Sequence, residues 1–190
     1  MRLVRHMDGC TWCLCNEKMK KYHDEEWGRL VTDDRLLFEF LTLESAQAGL
    51  SWITILRKRE RYRKAFYDFD VNKVAQMTEQ DVERLMQDEG IVRNRLKIKS
   101  AISNAKLFIA IQKEFGSFYN YTLSFFPERK PISYQPKTLK DIQASTPESD
   151  AMSKDMKKRG FKFFGSTICY AYLQATGFVN DHLVNCICRK

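Results

Sequence analysis

A glutamate on an otherwise apolar helical stripe is the feature that most restricts how this chain can fold. In the run DDRLLFEFLTLESAQAGL, the apolar residues Leu37, Phe40 and Ala48 recur at helical spacing, and Glu44 falls on the same stripe. The pattern predicts a helix that turns a carboxylate toward the interior, where an unpaired charge is costly. Such a carboxylate must be paired with an arginine, lie at the rim of the core, be neutralised or bind a ligand.

A corner between two helices is predicted directly after this glutamate. Gly49 suits the left-handed position at a helix end, and Ser51 can cap a second helix that begins at Trp52. We expect Leu50 to be exposed at this corner. The second helix carries a basic run: Arg57, Lys58, Arg59, Arg61, Arg63 and Lys64. A carboxylate, an indole and cationic side chains so close together suggest a pocket for an aromatic ligand on a polyanionic scaffold.

Periodicity over the rest of the chain predicts an all-α fold. Thr32 or Asp33 is predicted to start the helix that carries Glu44. Asp70 and the pair Thr78 and Asp81 have the form of helix N-caps, and a further helix is predicted to start near Asn94. No strand pattern is longer than a few residues, and there is no internal repeat. A chain of 190 residues with 44% hydrophobic residues suits one core, so we expect residues 1–190 to form a single compact domain.

The charge balance indicates what kind of partner the protein binds, and the apolar pattern and the N-terminus indicate where it is located. Lys and Arg outnumber Asp and Glu by 32 to 24, and the resulting net charge of +8 favours a polyanionic partner. No apolar run approaches the length of a membrane span, and the N-terminal MRLVRHMDGCTW has no apolar signal core. We therefore expect a cytoplasmic protein without membrane association, with reduced cysteines.

A turn between two helices is a candidate contact for phosphate. Basic residues gather at the start of the helix after Asn94: Arg95, Lys97 and Lys99. Free backbone N–H groups around Gly90 and Ile91 could hold a phosphate without reading sequence. The alternative is an ordinary helical hairpin whose basic end is solvated.

Cysteines and histidines cluster at both ends of the chain and predict a zinc site. His182 and Cys186 are four residues apart, which on a helical turn places both on one face and makes half of a tetrahedral site. The N-terminal donors for the other half are Cys10, Cys13, Cys15 and His23. Cys10 could pair with His23, or with Cys13 while His23 supports the ligands. With four protein ligands the zinc would be structural; the alternative is thiols packed as small hydrophobes.

Five long segments resemble one known family. They are YHDEEWG at 22–28, LFEFLTLESAQAGLSWITILRKRE at 37–60, GIVRNRLKI at 90–98, SKDMKKRGFKFFGSTICYAYLQATG at 153–177 and NDHLVNC at 180–186. Together they make the chain similar, over nearly its whole length, to the DNA-3-methyladenine glycosylase I family of the helix-hairpin-helix DNA glycosylase superfamily.

The resemblance implies an enzyme that hydrolyses the N-glycosidic bond of 3-methyladenine in alkylated double-stranded DNA and leaves the strand uncut. It assigns the reading of the flipped base to Glu44, with Trp52 and Tyr22 as aromatic walls. For DNA it assigns a helix-hairpin-helix element around Gly90 and Ile91, and duplex entry by Gly49 and Leu50. It also implies one structural zinc ion on Cys10, His23, His182 and Cys186, which leaves Cys13, Cys15 and Cys188 as spare thiols.

The chain departs from the family at two places. Met19 stands where some relatives have a further pocket aromatic, with Lys20 and Lys21 beside it, and the hairpin lacks a glycine pair. No aspartate or lysine matches the catalytic positions of the superfamily's other members, so we expect a monofunctional enzyme. We also expect the protein to be a monomer. The competing hypotheses are a zinc-stapled module that binds DNA lesions without cleaving them, and a structural helical protein with a solvated basic face.

Overall fold

Helices make up most of the chain in the computed structural model, which describes residues 9–189. The α-helices within that range are α1 (Glu17–Glu25), α2 (Asp34–Gln47), α3 (Trp52–Ala65), α4 (Val71–Ala75), α5 (Glu79–Met86), α6 (Arg95–Phe115), α7 (Phe118–Leu123), α8 (Pro147–Arg159) and α9 (Ser166–Ala175). Short 3-10 turns occupy Thr11–Cys15, Tyr67–Phe69, Pro127–Arg129 and Leu139–Asp141. The sequence predicts an all-α fold, and the described chain is mostly helical with one pair of short strands.

Side-chain caps start the helices where the sequence predicts them. Asp33 Oδ1 accepts a hydrogen bond from the Leu36 amide at 2.9 Å and begins α2. The Asp70 side chain caps α4 in the same way, and Thr78 with Asp81 forms a capping box at α5. Each cap satisfies backbone N–H groups that have no partner within their own helix.

The core is built around α2, which packs against α3, α6, α7 and α9. All residues from 37 to 46 on α2 are buried, so the helix is enclosed on nearly every face. The stripe predicted from Leu37, Phe40 and Glu44 lies inside, while Ala48 lies beyond the helix end and is half-buried. Helix α9 buries Cys169, Tyr172 and Leu173 and packs on α2 and α8.

Two short strands tie the C-terminal segment to the middle of the chain. Strand β1 (Ile132–Ser133) pairs in parallel with β2 (Val179–Asn180), with Ile132 opposite Val179. The pair is too short to change the fold class. It does fix the direction in which the last residues leave the core.

The prediction of a helical turn between His182 and Cys186 is wrong. The segment after β2 forms turns, with the Cys186 amide donating to Leu183 O at 2.8 Å. The reason is local: Asn180 Oδ1 accepts the His182 amide at 3.1 Å and bends the chain before a helix can start. The two side chains still converge, because the turns fold back on themselves.

Among the helices of residues 9–189, none has the length and apolar character that crossing a bilayer would require.

Candidate functional site

A cavity of about 240 Å³ opens at the surface beside α2. It is lined by aromatic, apolar and a few polar side chains: Trp12, Met19, Tyr22, Trp27, Glu44, Gln47, Trp52, Ile142, Ala171 and Gln174. These residues come from α1, α2, α3, α9, the 3-10 turn Thr11–Cys15 and two connecting segments. The three predicted base-contacting residues, Glu44, Tyr22 and Trp52, are therefore brought together in one cavity.

Glu44 supplies the only carboxylate of that lining. Its side chain is 3% exposed, and its Oε2 atom is buried without a hydrogen-bond partner among the described residues. Burial away from water raises the pKa of this carboxyl to about 8. The group is thus poised to ionise when a positive charge enters the cavity.

Aromatic rings form the walls around this carboxyl. The centroids of the Tyr22 and Trp52 rings lie 5.3 Å apart, with an angle of 53° between the ring planes. Burial, with the charge of Glu44 nearby, raises the pKa of the Tyr22 phenol well above its ordinary value, so it stays protonated. Trp52 Nε1 is a second buried polar atom without a partner in the described chain. Two unsatisfied groups in one cavity indicate a ligand that supplies what they lack.

Sequence reasoning missed two further tryptophans of the cavity. Trp12 and Trp27 pack edge to face with ring centroids 5.2 Å apart. Both lie in the aperiodic N-terminal stretch, whose only signal is its density of aromatic residues. Met19 also lines the cavity beside Tyr22, whereas Lys20 and Lys21 lie outside the lining. The wall left uncertain by the sequence is thus completed by a flexible apolar side chain.

The predicted corner between α2 and α3 is present. Gly49 has a φ of +78°, a backbone conformation that glycine adopts without strain, and Leu50 is 41% exposed. Ser51 precedes α3 as predicted, but its hydroxyl lies 2.8 Å from the Thr54 hydroxyl and makes no cap to the backbone. The corner presents an apolar side chain to solvent next to the cavity that contains Trp52.

The basic run on α3 is not the free cationic surface that the sequence suggests. Arg59 is 7% exposed and forms ion pairs with Glu39 and with Glu26 Oε2, the latter at 2.6 Å. Arg63 Nε donates to the same Glu39 at 3.0 Å, and Arg61 pairs with Asp88. These arginines pair with acidic side chains of neighbouring segments that tertiary packing brings next to α3. Only part of the run remains available for DNA.

The prediction that the backbone amides of Gly90 and Ile91 are free is also wrong. The Gly90 amide donates to Asp88 Oδ1 at 2.8 Å, and the Ile91 amide donates to Asp88 O at 3.3 Å. Ile91 is also buried. Gly90 has a packing role, because a Cβ at this position would lie 2.1 Å from Arg61 Cγ. The turn is fastened to α3 rather than left open.

The basic start of α6 is likewise engaged. Arg95 pairs with Glu79 and Glu83, and Lys99 Nζ lies 2.8 Å from Glu79. Lys97 Nζ donates to Ala46 O at 2.9 Å and to Ala48 O at 2.6 Å, both at the end of α2. A lysine there satisfies carbonyl groups left without helical partners and opposes the negative end of the helix dipole. Lys97 thereby joins α6 to the Gly49 and Leu50 corner.

The chain ends meet in a cluster of metal-ligating side chains. Among the described residues, one ligand atom each from His23, His182, Cys186 and Cys188 lies within 4.8 Å of the others. Three of the four predicted ligands are in this set. Cys188, predicted to be a spare thiol, is the fourth member in place of Cys10.

Cys10 lies alongside the cluster. It is 3% exposed, its Sγ accepts a hydrogen bond from the Leu183 amide at 3.5 Å, and Cys186 is close enough to add to the effect of burial in raising its pKa to about 12. Cys188 Sγ instead faces the Asp24 carboxylate at 3.6 Å. Both thiols are thus placed to be the last ligand, in different electrostatic surroundings.

The histidines of the cluster are oriented as metal ligands are. His23 Nδ1 lies 2.8 Å from Asp24 Oδ1, and His182 Nδ1 lies 2.9 Å from Asn180 Oδ1. Each contact leaves Nε2 as the free lone pair: His23 Nε2 is 3.4 Å from Cys186 Sγ, and His182 Nε2 is buried without a partner among the described residues. An oxygen behind each imidazole and an unsatisfied nitrogen in front fit a tetrahedral metal such as zinc.

Known proteins are similar to this chain in both sequence and fold. The methyladenine glycosylase family profile matches residues 12–190. DNA-3-methyladenine glycosylase 1 of Escherichia coli is 50% identical over 182 residues, covering 96% of this chain and 97% of that protein. The Haemophilus influenzae DNA-3-methyladenine glycosylase is 44% identical over 180 residues, covering 95% and 97%.

A solved structure extends the comparison to the fold. The structure that describes 3-methyladenine recognition by 3-methyladenine DNA glycosylase I from Staphylococcus aureus superimposes with a TM-score of 0.92 at 38% identity. The match covers 97% of each chain. Since these matches run through the segments that form the cavity and the corner, the chain belongs to the methyladenine glycosylase family.

Proposed function

We propose that this protein excises 3-methyladenine from alkylated double-stranded DNA by hydrolysing the N-glycosidic bond. The relatives described above are named for this activity. The observation that carries the proposal to this chain is the buried carboxyl of Glu44, without a partner for Oε2 and facing a cavity walled by Tyr22 and Trp52. A cationic aromatic base is the ligand that this combination suits.

Charge explains how the pocket selects its base. Methylation at N3 makes adenine formally cationic, and the faces of Tyr22 and Trp52 attract a cation by about 0.5–2 kcal/mol each. The same positive charge favours ionisation of Glu44, which then accepts hydrogen bonds from the base. Neutral adenine gains neither contribution, so it does not recover the few kcal/mol spent on leaving the base stack.

The reaction needs little acid catalysis from the protein. The bond between C1′ and N9 breaks, its electron pair moves to the base, and the base leaves as a neutral molecule. Water adds to C1′ and gives up a proton to solvent. No lysine or aspartate is present among the described residues of the lining, which supports attack by water and a product that is an abasic site in an uncut strand.

Contact with DNA is proposed at the corner and at the α5–α6 turn. We assign entry into the duplex to Gly49 and Leu50, because Leu50 is exposed beside the cavity. We assign the helix-hairpin-helix element to the segment around Gly90 and Ile91. Since the amides of these two residues are already bonded to Asp88, their contribution is to hold the turn in shape while neighbouring groups meet the phosphate.

One structural zinc ion is proposed to clasp the chain ends. Its ligands would be His23, His182, Cys186 and Cys10; the N–H···S hydrogen bond from the Leu183 amide supports a thiolate at Cys10. Asp24, in contrast, opposes negative charge on Cys188. Four protein ligands leave no position for a reacting water, so the ion would stabilise the α1 end of the pocket and take no part in the reaction.

We further propose that the chain forms one glycosylase domain and acts as a monomer in the cytoplasm. One core cluster includes residues from Cys10 to Cys186, which supports a single unit.

The test is release of free 3-methyladenine from DNA treated with a methylating agent, followed by chromatography of the released bases. We expect wild-type protein to release 3-methyladenine, and strand breaks to appear only after alkali cleaves the abasic sites. Salt-sensitive binding without base release would instead identify a lesion-binding module. If the protein neither binds DNA nor releases a base, it would be a structural protein.

A further inference from the structure

A glutamine of the cavity has one end fixed by a buried carboxylate. Gln174, on α9, lines the same cavity as Glu44. Its Nε2 donates a hydrogen bond to Asp181 Oδ2 at 2.7 Å, and Asp181 is 2% exposed. The Tyr170 hydroxyl donates to the same carboxylate oxygen. Asp181 therefore receives two donors; it lies outside the lining of this cavity and, with Tyr170, lines a separate one.

This contact decides which end of the Gln174 amide meets a ligand. If the amide were turned over, its carbonyl oxygen would face a carboxylate oxygen, and two acceptors would repel each other. The amide nitrogen is thus held by Asp181, and Oε1 is the polar atom left for the cavity. Within residues 9–189, no hydrogen bond to Gln174 Oε1 is formed.

Glu44 cannot supply the same information about the base. As an ionised carboxylate it attracts any cationic purine, and as a neutral acid it can donate a hydrogen bond to an oxygen. It can therefore adapt to methylated adenine and to methylated guanine alike. An amide locked by Asp181 has no second protonation state, so it stays an acceptor.

We propose that Gln174 Oε1 determines specificity at the purine 6-position, accepting a hydrogen bond from the amino group of 3-methyladenine and disfavouring the O6 atom of 3-methylguanine. Tyr170 and Asp181 are positioning residues that keep the amide in this orientation. The assignment rests on the proposed function and adds to it a basis for the choice between two cationic purines. Because Gln174 Oε1 and O6 of 3-methylguanine are both acceptors, we expect release of 3-methylguanine to be slower than release of 3-methyladenine by on the order of tenfold to a hundredfold.

The experiment measures the ratio of 3-methyladenine to 3-methylguanine released by the full-length protein from the same methylated DNA. Gln174→Met keeps the length of the side chain and removes the acceptor. We expect its release ratio to fall by roughly tenfold or more, mainly through loss of 3-methyladenine release. Gln76→Met is the matched control, because Gln76 is exposed and lies outside this cavity, and its ratio should equal that of wild type.

Asp181→Ala tests the positioning role. Gln174 is retained there but free to turn, so the ratio should also fall, whereas a merely structural effect would lower release of both bases together. A wild-type ratio in folded Gln174→Met overturns the assignment; if that variant does not fold by circular dichroism, a wild-type ratio in Asp181→Ala overturns it. Absence of base release by the wild-type protein would refute the proposed function itself, which is a separate outcome.

Discussion

Glu39 and Glu44 are both buried on α2, but only Glu39 has arginine partners. Their exposed fractions are 4% and 3%. Glu39 receives Arg59 and Arg63, whereas no ion pair to Glu44 is formed in the described part of the chain. Pairing with arginine, the ordinary explanation for a buried glutamate, thus accounts for Glu39 and does not account for Glu44. The failure marks Glu44 as the carboxyl that requires a ligand.

Arg59→Met tests the structural role of Glu39, because it removes one of the two arginines that pair with this glutamate. The change leaves Arg63 as the one remaining cation paired with Glu39 among the described residues and removes the partner of Glu26, so the free energy of unfolding should fall by about 3–5 kcal/mol. Urea denaturation measures it. Arg57→Met is the control, since Arg57 is exposed on the same helix. A loss below about 1 kcal/mol would show that the buried pair contributes little.

Glu44 should make stability depend on pH. Because its folded-state pKa of about 8 lies above its ordinary value of 4.5, folded protein binds more protons than unfolded protein between these two pH values. The contribution is fully present below pH 4.5 and is lost as pH rises through 8, at up to about 1.4 kcal/mol per pH unit.

Glu44→Gln removes this titration and provides the comparison. The variant should gain stability relative to wild type as pH rises between 4.5 and 8, and the difference should level off above that range. Urea midpoints at several pH values give the curve. Parallel curves for the two proteins would mean that the carboxyl is ionised in the folded state throughout.

Removal of metal should loosen the clasp between the chain ends. A strong chelator should lower the Tm by roughly 10 °C, and added zinc should restore it. Elemental analysis should find one zinc per chain in wild-type protein and in Cys15→Ser, and a large loss in Cys10→Ser. If Cys188→Ser loses the ion while Cys10→Ser retains it, the fourth ligand is Cys188.

Leu50→Ala should weaken action on duplex DNA without weakening the fold. The side chain is 41% exposed, so its removal leaves the core intact. If Leu50 fills the space that the flipped base vacates, base release from duplex should fall by roughly tenfold, with a smaller effect on single-stranded DNA. Leu30→Ala, at a side chain that is 45% exposed, is the matched control. Equal losses on both substrates would remove the duplex-entry role.

The local features of this fold were readable from sequence, because they depend on residues close together in the chain. The stripe through Leu37 and Glu44, the caps at Asp33 and Asp70 and the break at Gly49 all follow from helical spacing and backbone preference. Helical spacing also placed Trp52 close to Glu44, family resemblance then added Tyr22, and the cavity brings the three together.

Features that depend on tertiary pairing were not readable. Asp88 occupies the amide of Gly90, and Glu39 neutralises Arg59 across two helices. The contribution of Trp12 and Gln174 to the pocket requires distant segments to meet. No spacing rule connects such residues, so a charge run read as free surface proved to be largely paired.

The most direct test of the account is the rate of 3-methyladenine release by Glu44→Gln, with Glu25→Gln as a control at an exposed glutamate of α1. We expect Glu44→Gln to fold like wild type and to lose at least about a hundredfold in rate, because its amide cannot become a counter-charge for the cationic base. Glu25→Gln should release the base at the wild-type rate. A fully active Glu44→Gln protein would contradict the central role of the buried carboxyl.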